Sequence, residues 1–556
     1  MPFLAPIIAG VAAFAATAIG SFLIRLAISF VIGAVMQNRM KKKMEAMQRA
    51  NRPSVMVNTA SNNESIPVAY GRTRIGGNRL FTESTNGAGN ANINSHLNMI
   101  FSLCEGKVND LEQVWFDDLI VWDANNGGSI GANNELTGFI SKFAPALSDA
   151  ETHIVFFNGD DTQAASSILS ASIGSPWTSA HQLKGVVYCG MVLNSNAEIY
   201  KGGLPLMTFT VKSKQIRDVS ALPSTQTYIG GANENPVDVL YDYLVNPRYG
   251  KGLDHNSSGV YTAGLNIDLD SFKTARAQAN GYYKINGVLD TSTQLYDNIG
   301  EILESMNGLL VFQGGKYILK LQSRSESAVA TFTSFDILSP VAVQMPAKSS
   351  KFNNVLADYR NKTPGTNYND DIVIVENSTY LAEDNGTNLE GRIRLDLVDD
   401  TALVTDLANY TMNSSRFQQT INFDAAHTAL RLQCGEIINM SLEEFGWGGP
   451  EVTTGNNINA GSFVVGKIYK IVTVGYTQIN PTVTETDFTT IGAANNNVGT
   501  LFFATGTGLN TSSGKAIEII SSGVPKPFRI TQMGLNPDNS ISITATEYIN
   551  SIELIA

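Results

Sequence analysis

Apolar and polar positions are distributed along the chain in blocks of different texture. Residues 3–36 are almost wholly apolar, with Arg25 the one charge among them, and residues 7–24 form an uncharged run. A membrane-spanning helix needs roughly 20 such residues, so this stretch predicts an N-terminal hydrophobic helix. Its Gly and Ala content (Gly10, Ala12, Ala13, Ala15, Ala16, Gly20) allows close approach between helices. From about residue 53 the texture changes to short β-type runs punctuated by Gly, Asn and Pro. Ile66–Gly71 leads through Arg72, Thr73 and Arg74 to Gly76 and Gly77 and then Asn78–Phe81, which predicts a turn-linked strand pair with Gly76 and Gly77 as structural turn residues. His96–Leu103 and Val114–Val121 predict two more strands.

Two helices are expected in the middle of the chain. Pro236 suits a first helical position, and Val237, Leu240, Tyr241, Leu244 and Val245 recur at helical spacing before Asn246-Pro247 ends the run. Leu295, Ile299, Ile302, Leu303 and Met306 repeat in the same way up to Gly308. The next apolar runs, Leu309–Phe312 and Lys316–Leu319, flank Gly314 and Gly315, a pair that can take positive φ at both turn positions of a hairpin. Residues 451–522 are rich in Thr, Gly and Asn and contain no Arg, His or Cys. They read as a small β-module inserted at a loop, where insertions are tolerated. The fold class expected from these patterns is mainly β with a few helices (α+β), built from several β-barrel or sandwich-like domains.

The chain has 556 residues, enough for three or four domains at about 150 residues each, and its 43% hydrophobic content supports buried cores. Its 38 basic and 50 acidic residues give a net charge of −12. The balance is uneven. Arg25, Arg39, Lys41, Lys42, Lys43, Arg49 and Arg52 face only Glu45 within residues 1–52, so the remainder is an acidic body. Such a body argues against general nucleic-acid binding, which rests on clustered Lys and Arg. Positive charge behind the apolar run is the wrong sense for a secretory signal peptide. Cys104, Cys189 and Cys434 are too few and too far apart for a disulfide framework, and each sits in an apolar run.

Candidate chemistry is sparse. Gly461–Lys467 matches most of a P-loop, but Ile468 stands where a hydroxyl is needed for Mg²⁺ and a β-run follows in place of a helix. His96, His153, His181, His255 and His427 are scattered without metal-ligand spacing. The acidic pairs Asp117-Asp118, Asp160-Asp161, Asp370-Asp371 and Glu443-Glu444 read as solvated loop acids, since adjacent acids on a strand point to opposite faces.

Seven stretches, in order, carry a resemblance: Ile66–Gly77; Leu103–Val108 with Val114–Asp118; Asn235–Gly250; Ile302–Val311; Phe352–Val355; Leu432–Ile438; and Phe528–Ile530 through Ile541–Tyr548. Together they resemble the central hub proteins at the tail tip of long-tailed phages, the lambda-type tip attachment family, and more distantly the baseplate hubs of contractile tails. The resemblance covers about residues 60–550. It implies a non-enzymatic homotrimer in the virion tail tip, made in the host cytoplasm, which closes the tail tube and opens for the tape measure protein and for DNA in transit. The implied partners are the distal tail protein ring, the tape measure protein and tail fibre proteins, with no cofactor, no metal and no catalytic residue.

On this reading the chain divides into residues 1–52 (hydrophobic helix and basic collar), 53–225 (N-terminal hub β domains), 226–350 (helix-containing hub domain), 351–450 with 523–556 (C-terminal hub β domain), and the 451–522 module. That module resembles small β-modules of phage structural proteins. Lambda-type proteins continue into receptor-binding regions where this sequence stops at Ala556, so host recognition is expected to fall to separate fibres. The N-terminal helix departs from the pattern. Phe14, Phe22, Arg25, Phe30, Arg39, Lys41, Lys42 and Lys43 are candidate contacts either to the tape measure inside the hub channel or to a host membrane, where the basic collar would meet anionic headgroups. A buried helix that only joins protomers remains a third reading. Two other classes stay open: a membrane-anchored bacterial adhesin with β domains, and a tail-tip peptidoglycan hydrolase. An acidic conduit would let DNA slide past without sticking.

Overall fold

The computed structural model describes residues 58–550 apart from the short segments 62–63, 87–93, 196–202, 226, 232, 323–325, 346–349, 363–367, 449–451, 480–481 and 522–523. The expected N-terminal helix lies outside the described residues. Within them the chain is mainly β, with several sheets and a smaller helical share.

Two four-stranded antiparallel sheets share the first apolar cluster. One runs in the order Asn78–Thr85, His96–Glu105, Val186–Asn194, His153–Asn158; the other in the order Arg72–Ile75, Met207–Lys214, Val108–Phe116, Leu119–Asp123. Met99, Phe101 and Leu103 from the first meet Val114, Phe116 and Phe209 from the second, with the Phe101 and Phe209 rings 6.4 Å apart. The run Met99–Cys104 is apolar almost without alternation because both faces of its strand are covered: Ile100 on the far side packs with Leu169, Trp177 and Tyr188.

Two local expectations are corrected here. Gly76 and Gly77 do not join a strand pair. Val68–Tyr70 pairs with Gly287–Leu289, Arg72–Ile75 with Met207–Lys214, and Asn78–Thr85 with His96–Glu105, so the chain serves three sheets in succession and Gly76-Gly77 is a crossover. A side chain at Gly77 would meet Phe101 Cβ at 2.8 Å and Leu103 Cδ2 at 2.9 Å, so close approach to the core, rather than turn geometry, requires glycine. The expected strand Val114–Val121 is two strands, Val108–Phe116 and Leu119–Asp123, turning at Asp117 with φ 52°. Asp tolerates that left-handed conformation better than most residues, and its Oδ1 accepts from the Leu206 N–H at 2.8 Å.

The central cluster is built around the helix Pro236–Val245, capped by Asn235 Oδ1, which accepts from the Val237 N–H. All ten of its residues are buried. Helical spacing accounts for the apolar ones; Asp238 and Asp242 are buried too, and each is satisfied from elsewhere in the chain. Asp238 accepts from Arg276 Nε at 2.8 Å, from the Val219 N–H and from Asn233. Burial raises its carboxyl above the usual range, opposed by Arg276. Asp242 Oδ2 accepts from Tyr70 at 2.7 Å and Tyr249 at 2.6 Å. Around this helix pack Leu269–Ala279, Leu295–Glu304, and the hairpin of Gly308–Gln313 and Lys316–Leu321, whose turn holds Gly314 and Gly315 at φ 59° and 84°. The three-stranded sheet Asp370–Glu376, Asn354–Arg360, Glu390–Leu395 and the helix Thr401–Arg416 join the same cluster.

A six-stranded sheet follows the order Ala330–Thr333, Ile437–Ser441, Lys526–Leu535, Ile541–Glu547, Thr420–Ala425, Ala342–Gln344. Strands lie about 4.8 Å apart, so in a flat sheet the first and fifth would be separated by nearly 20 Å. The Phe332 and Phe423 rings on those strands are 5.3 Å apart, so the sheet curls around its core. The grouping of strands therefore differs from the expected one, because residues 330–344 belong to this sheet while 354–416 belong to the central cluster. Between its adjacent strands Ile437–Ser441 and Lys526–Leu535 sits a separate four-stranded sheet with its own core of Phe463, Tyr469, Phe488 and Phe502. The stem of this insertion is narrow: the Gly448 N–H donates to the Val524 carbonyl at 3.2 Å.

Two outcomes are expected. Asp238→Ala, which removes the buried partner of Arg276 and leaves it Asp218 at 3.3 Å, should destabilise the chain by about 2 kcal/mol, read as a lowered midpoint in thermal scanning. Replacing residues 449–523 with a two-residue turn should leave the far-UV spectrum of the remaining chain β-rich and its melting temperature within a few degrees; loss of folding would show that the module supports the sheet it interrupts.

Candidate functional site

The stretches singled out in the sequence meet one another at the seams between sheets. Arg74 lies over the Trp115 ring at 4.2 Å, donates from Nε to Thr208 Oγ1 at 2.7 Å, and donates from Nη2 to the Asp117 carbonyl at 2.7 Å. The Arg72-Thr73-Arg74 run thereby holds the Val114–Asp118 turn. Trp115 Nε1 in turn donates to Thr210. On the neighbouring side Tyr70, in the first stretch, and Tyr249, in the third, converge on Asp242. Arg72 Nε pairs with Glu112 at 2.5 Å, and its backbone N–H donates to Asn286, whose amide reaches Glu234 and Asp399. Burial raises the Asp399 carboxyl, and Lys362 at 3.0 Å holds it back.

The later stretches act in the same way. Asn353 donates to Asp384 and the Thr387 carbonyl and accepts from the Leu389 N–H, closing the loop that returns to its own sheet. At Gly435 the N–H donates to the Ile530 carbonyl at 2.7 Å, and a Cβ there would stand 2.6 Å from Leu309 Cδ2, so the curled sheet and the Gly308–Leu321 hairpin touch at a position with no room for a side chain.

Residues considered for chemistry are otherwise engaged. Lys467 of the P-loop lookalike pairs with Glu518 at 2.6 Å, and the strand Ile468–Thr473 follows it. His96 faces Glu151, His153 faces Glu135, and His181 stacks on Trp177. Among the described residues no group of three or more His, Cys, Asp or Glu is placed to hold a metal. The three cysteines are buried free thiols, with burial pushing Cys104 up to about 12 and Cys434 to about 11. A surface cleft of about 310 Å³ is lined by Asn133, Asn134, Phe157 and Asp160, and Asp160 is held by Lys107 at 2.7 Å. No described helix is long and apolar enough to cross a membrane. The candidate contacts Phe14, Phe22, Arg25, Phe30, Arg39, Lys41, Lys42 and Lys43 lie outside the described residues.

The partners Glu112, Asp242, Tyr249 and Asp399 were not singled out in the sequence as functional. The one signal available was an acid inside an apolar helical repeat, at Asp238 and Asp242. Two substitutions separate a seam glycine from a turn glycine. Gly77→Val drives a branched side chain into Phe101 and should cost about 3 kcal/mol. Gly314→Ala meets no atom within 4 Å and should cost only the left-handed backbone, about 1 kcal/mol; urea titrations of the two variants provide the comparison.

No protein-family model matches the chain. In sequence it is similar to the baseplate hub protein pb3 of Escherichia phage T5, at 19% identity over 440 residues, covering 69% of this chain and 45% of that protein. The chain thus spans less than half the length of the curated relative it matches. Among solved structures, a chain in the virion of a native gene transfer agent particle superposes with a TM-score of 0.52 at 12% identity, covering 100% of this chain and 98% of that one. The 43 kDa tail protein of prophage MuSo2 from Shewanella oneidensis is more distant, with a TM-score of 0.24 at 6% identity over 82% of this chain and 98% of that one. The resemblance to phage tail hub proteins carried by the seven stretches is thus met by a sequence relative of that kind, and the fold is shared with a chain of a virion particle.

Proposed function

We propose that this chain is a structural protein of a phage virion, the central hub at the tip of the tail, and that three copies form a plug that closes the tail tube and opens for the tape measure protein and DNA. The observation that carries the reading is the sequence likeness to a baseplate hub protein across 69% of the chain. The seams support it: the stretches that carry the resemblance hold module to module through buried hydrogen bonds and contacts too close for side chains, as a rigid scaffold requires. Its neighbours in the tail would be the distal tail ring, the tape measure protein and the fibre proteins. Its role is structural, and no cofactor takes part.

Residues 3–36 and the basic collar behind them belong to the same proposal, either as a bundle against the tape measure inside the channel or as a segment released toward the host membrane. The inserted module would decorate the outside of the tip.

A cryo-EM map of the tail tip tests the reading. Threefold density for this chain at the end of the tube is expected, with about three copies per particle by quantitative mass spectrometry; absence from purified virions, or a location in the head, would sink it. Deleting residues 1–36 then separates the two roles of the leader. Failed tail assembly points to packing in the channel, and normal particles that cannot deliver DNA point to the membrane.

A further inference from the structure

The six-stranded sheet ends on a strand unlike an ordinary exposed edge. From Ile337 to Met345 the chain runs beside Thr420–Ala425, through the Ile337–Ala425 bridge, the Leu338 N–H donating to the Asp424 carbonyl, and the pairing of Ala342–Gln344. Its other edge pairs with no strand among the described residues. Positions 337, 339, 341 and 343 are partly covered, while Leu338, Pro340, Ala342 and Gln344 face outward. No residue from 337 to 345 is charged. Soluble proteins usually protect an uncovered edge with Lys, Pro, inward-pointing charge, a very short strand or a covering loop; this edge has Pro340 and a paired run of three residues, but no charge. Here Leu338 is 62% exposed, Met345 74% and the adjoining Phe335 94%. These three side chains present roughly 400 Å² of apolar surface, about half of the ~800 Å² that one partner contributes to a standard interface.

The same chain carries a second edge of this kind. Among the described residues the strand Asp370–Glu376 pairs only with Asn354–Arg360, and its outward residues Ile372 and Ile374 are 47% and 61% exposed while Val373 and Val375 turn to the core. Its charges stand at its ends, Asp370, Asp371 and Glu376, leaving an uncharged centre. Two edges that are both apolar and both short of a backbone partner are the two halves of a head-to-tail contact.

We infer that the 337–345 edge of one copy docks on the 370–376 edge of the next copy, so that the two edge strands join sheets across the boundary between protomers. This rests on the hub reading for its ring. A patch that pairs with itself closes at two copies, whereas two different surfaces on one chain can close at three. Other occupants, such as a different tail protein, would leave the isolated chain monomeric.

The test uses the full chain. Wild-type protein should self-associate in sedimentation velocity. Phe335→Asp with Leu338→Asp should weaken that association about 100-fold, and Ile374→Lys should do the same, with both variants keeping the wild-type melting temperature. Mixing the two variants should restore one contact per pair and give dimers, because each retains the surface the other has lost. Leu338→Cys with Ile374→Cys in one chain should form intermolecular disulfides up to a trimer, and Leu338→Cys alone should not; the native cysteines are buried and do not compete. A wild-type chain that stays monomeric at every concentration, an Asp variant that associates as wild type does, or self-linking of Leu338→Cys alone would overturn the inference. If the map shows three copies at the tail tip and any of these results holds, the interface is wrong and the hub stands. If the protein is absent from virions but the edges still pair, the hub reading fails and the interface survives.

Discussion

The structure depends on satisfying a helix that is buried on every side yet carries two carboxylates. Burying an unpaired carboxylate costs several kcal/mol even after the surroundings relax, so the Pro236–Val245 helix is stable only with partners in place for Asp238 and Asp242. Those partners come from far apart in the chain: Arg276 from the next helix, Asn233 and the Val219 backbone from the approach loop, Tyr249 from the exit turn, and Tyr70 from a strand 172 positions away. The Tyr70 contact matters most for architecture. It lies on the strand Val68–Tyr70, immediately before the chain enters the two-sheet unit, and so ties that unit to the central cluster through a buried hydrogen bond.

The same kind of demand, a partner or a fit supplied from another module, falls on single residues in the other stretches that meet at the seams. Arg74 must stack on Trp115 and reach the Asp117 carbonyl, Asn353 must satisfy three groups on a returning loop, and Gly77 and Gly435 must let one module press against another. Each demand specifies a residue type. Interiors of sheets specify only an apolar side chain of suitable volume.

Legibility in the sequence follows the same division. The helix at Pro236, the helix ending before Gly308 and the Gly314-Gly315 hairpin were readable because period and punctuation agreed there. The break at Asp117 was not, because two acids took the place of the usual turn glycine inside a run of strand formers. At Gly76 and Gly77 a pair of glycines between strands suggests a hairpin, and only the third dimension shows Phe101 and Leu103 against Gly77. The helix Leu269–Ala279 is hard to read because it buries only a narrow stripe, Phe272, Ala275 and Ala279, and Thr401–Arg416 because its buried face includes Thr411 and Ser415. The carboxylate partners were hidden for the most basic reason. Nothing local to Tyr70 or Asp399 records that a distant group needs a donor or an acceptor.

The distribution of charge completes the account. Inside the seams nearly every charged group is committed to a partner in the same chain: Arg72 to Glu112, Arg276 to Asp238, Lys362 to Asp399, Arg416 to Asp384, Arg529 to Glu326. Groups spent in this way contribute little to holding a second molecule. Association can then draw on apolar surface, part of which the chain leaves on two sheet edges whose centres carry no charge. The acidic excess of the body sets a condition on that contact, since copies of equal sign repel at long range. Salt weakens this repulsion over about 10 Å, while burial of Phe335, Leu338 and Ile374 does not depend on salt to first order. Assembly of such a chain should therefore strengthen as ionic strength rises, the opposite of a complex held by ion pairs, and the direction of that dependence follows from where the sequence placed its charges.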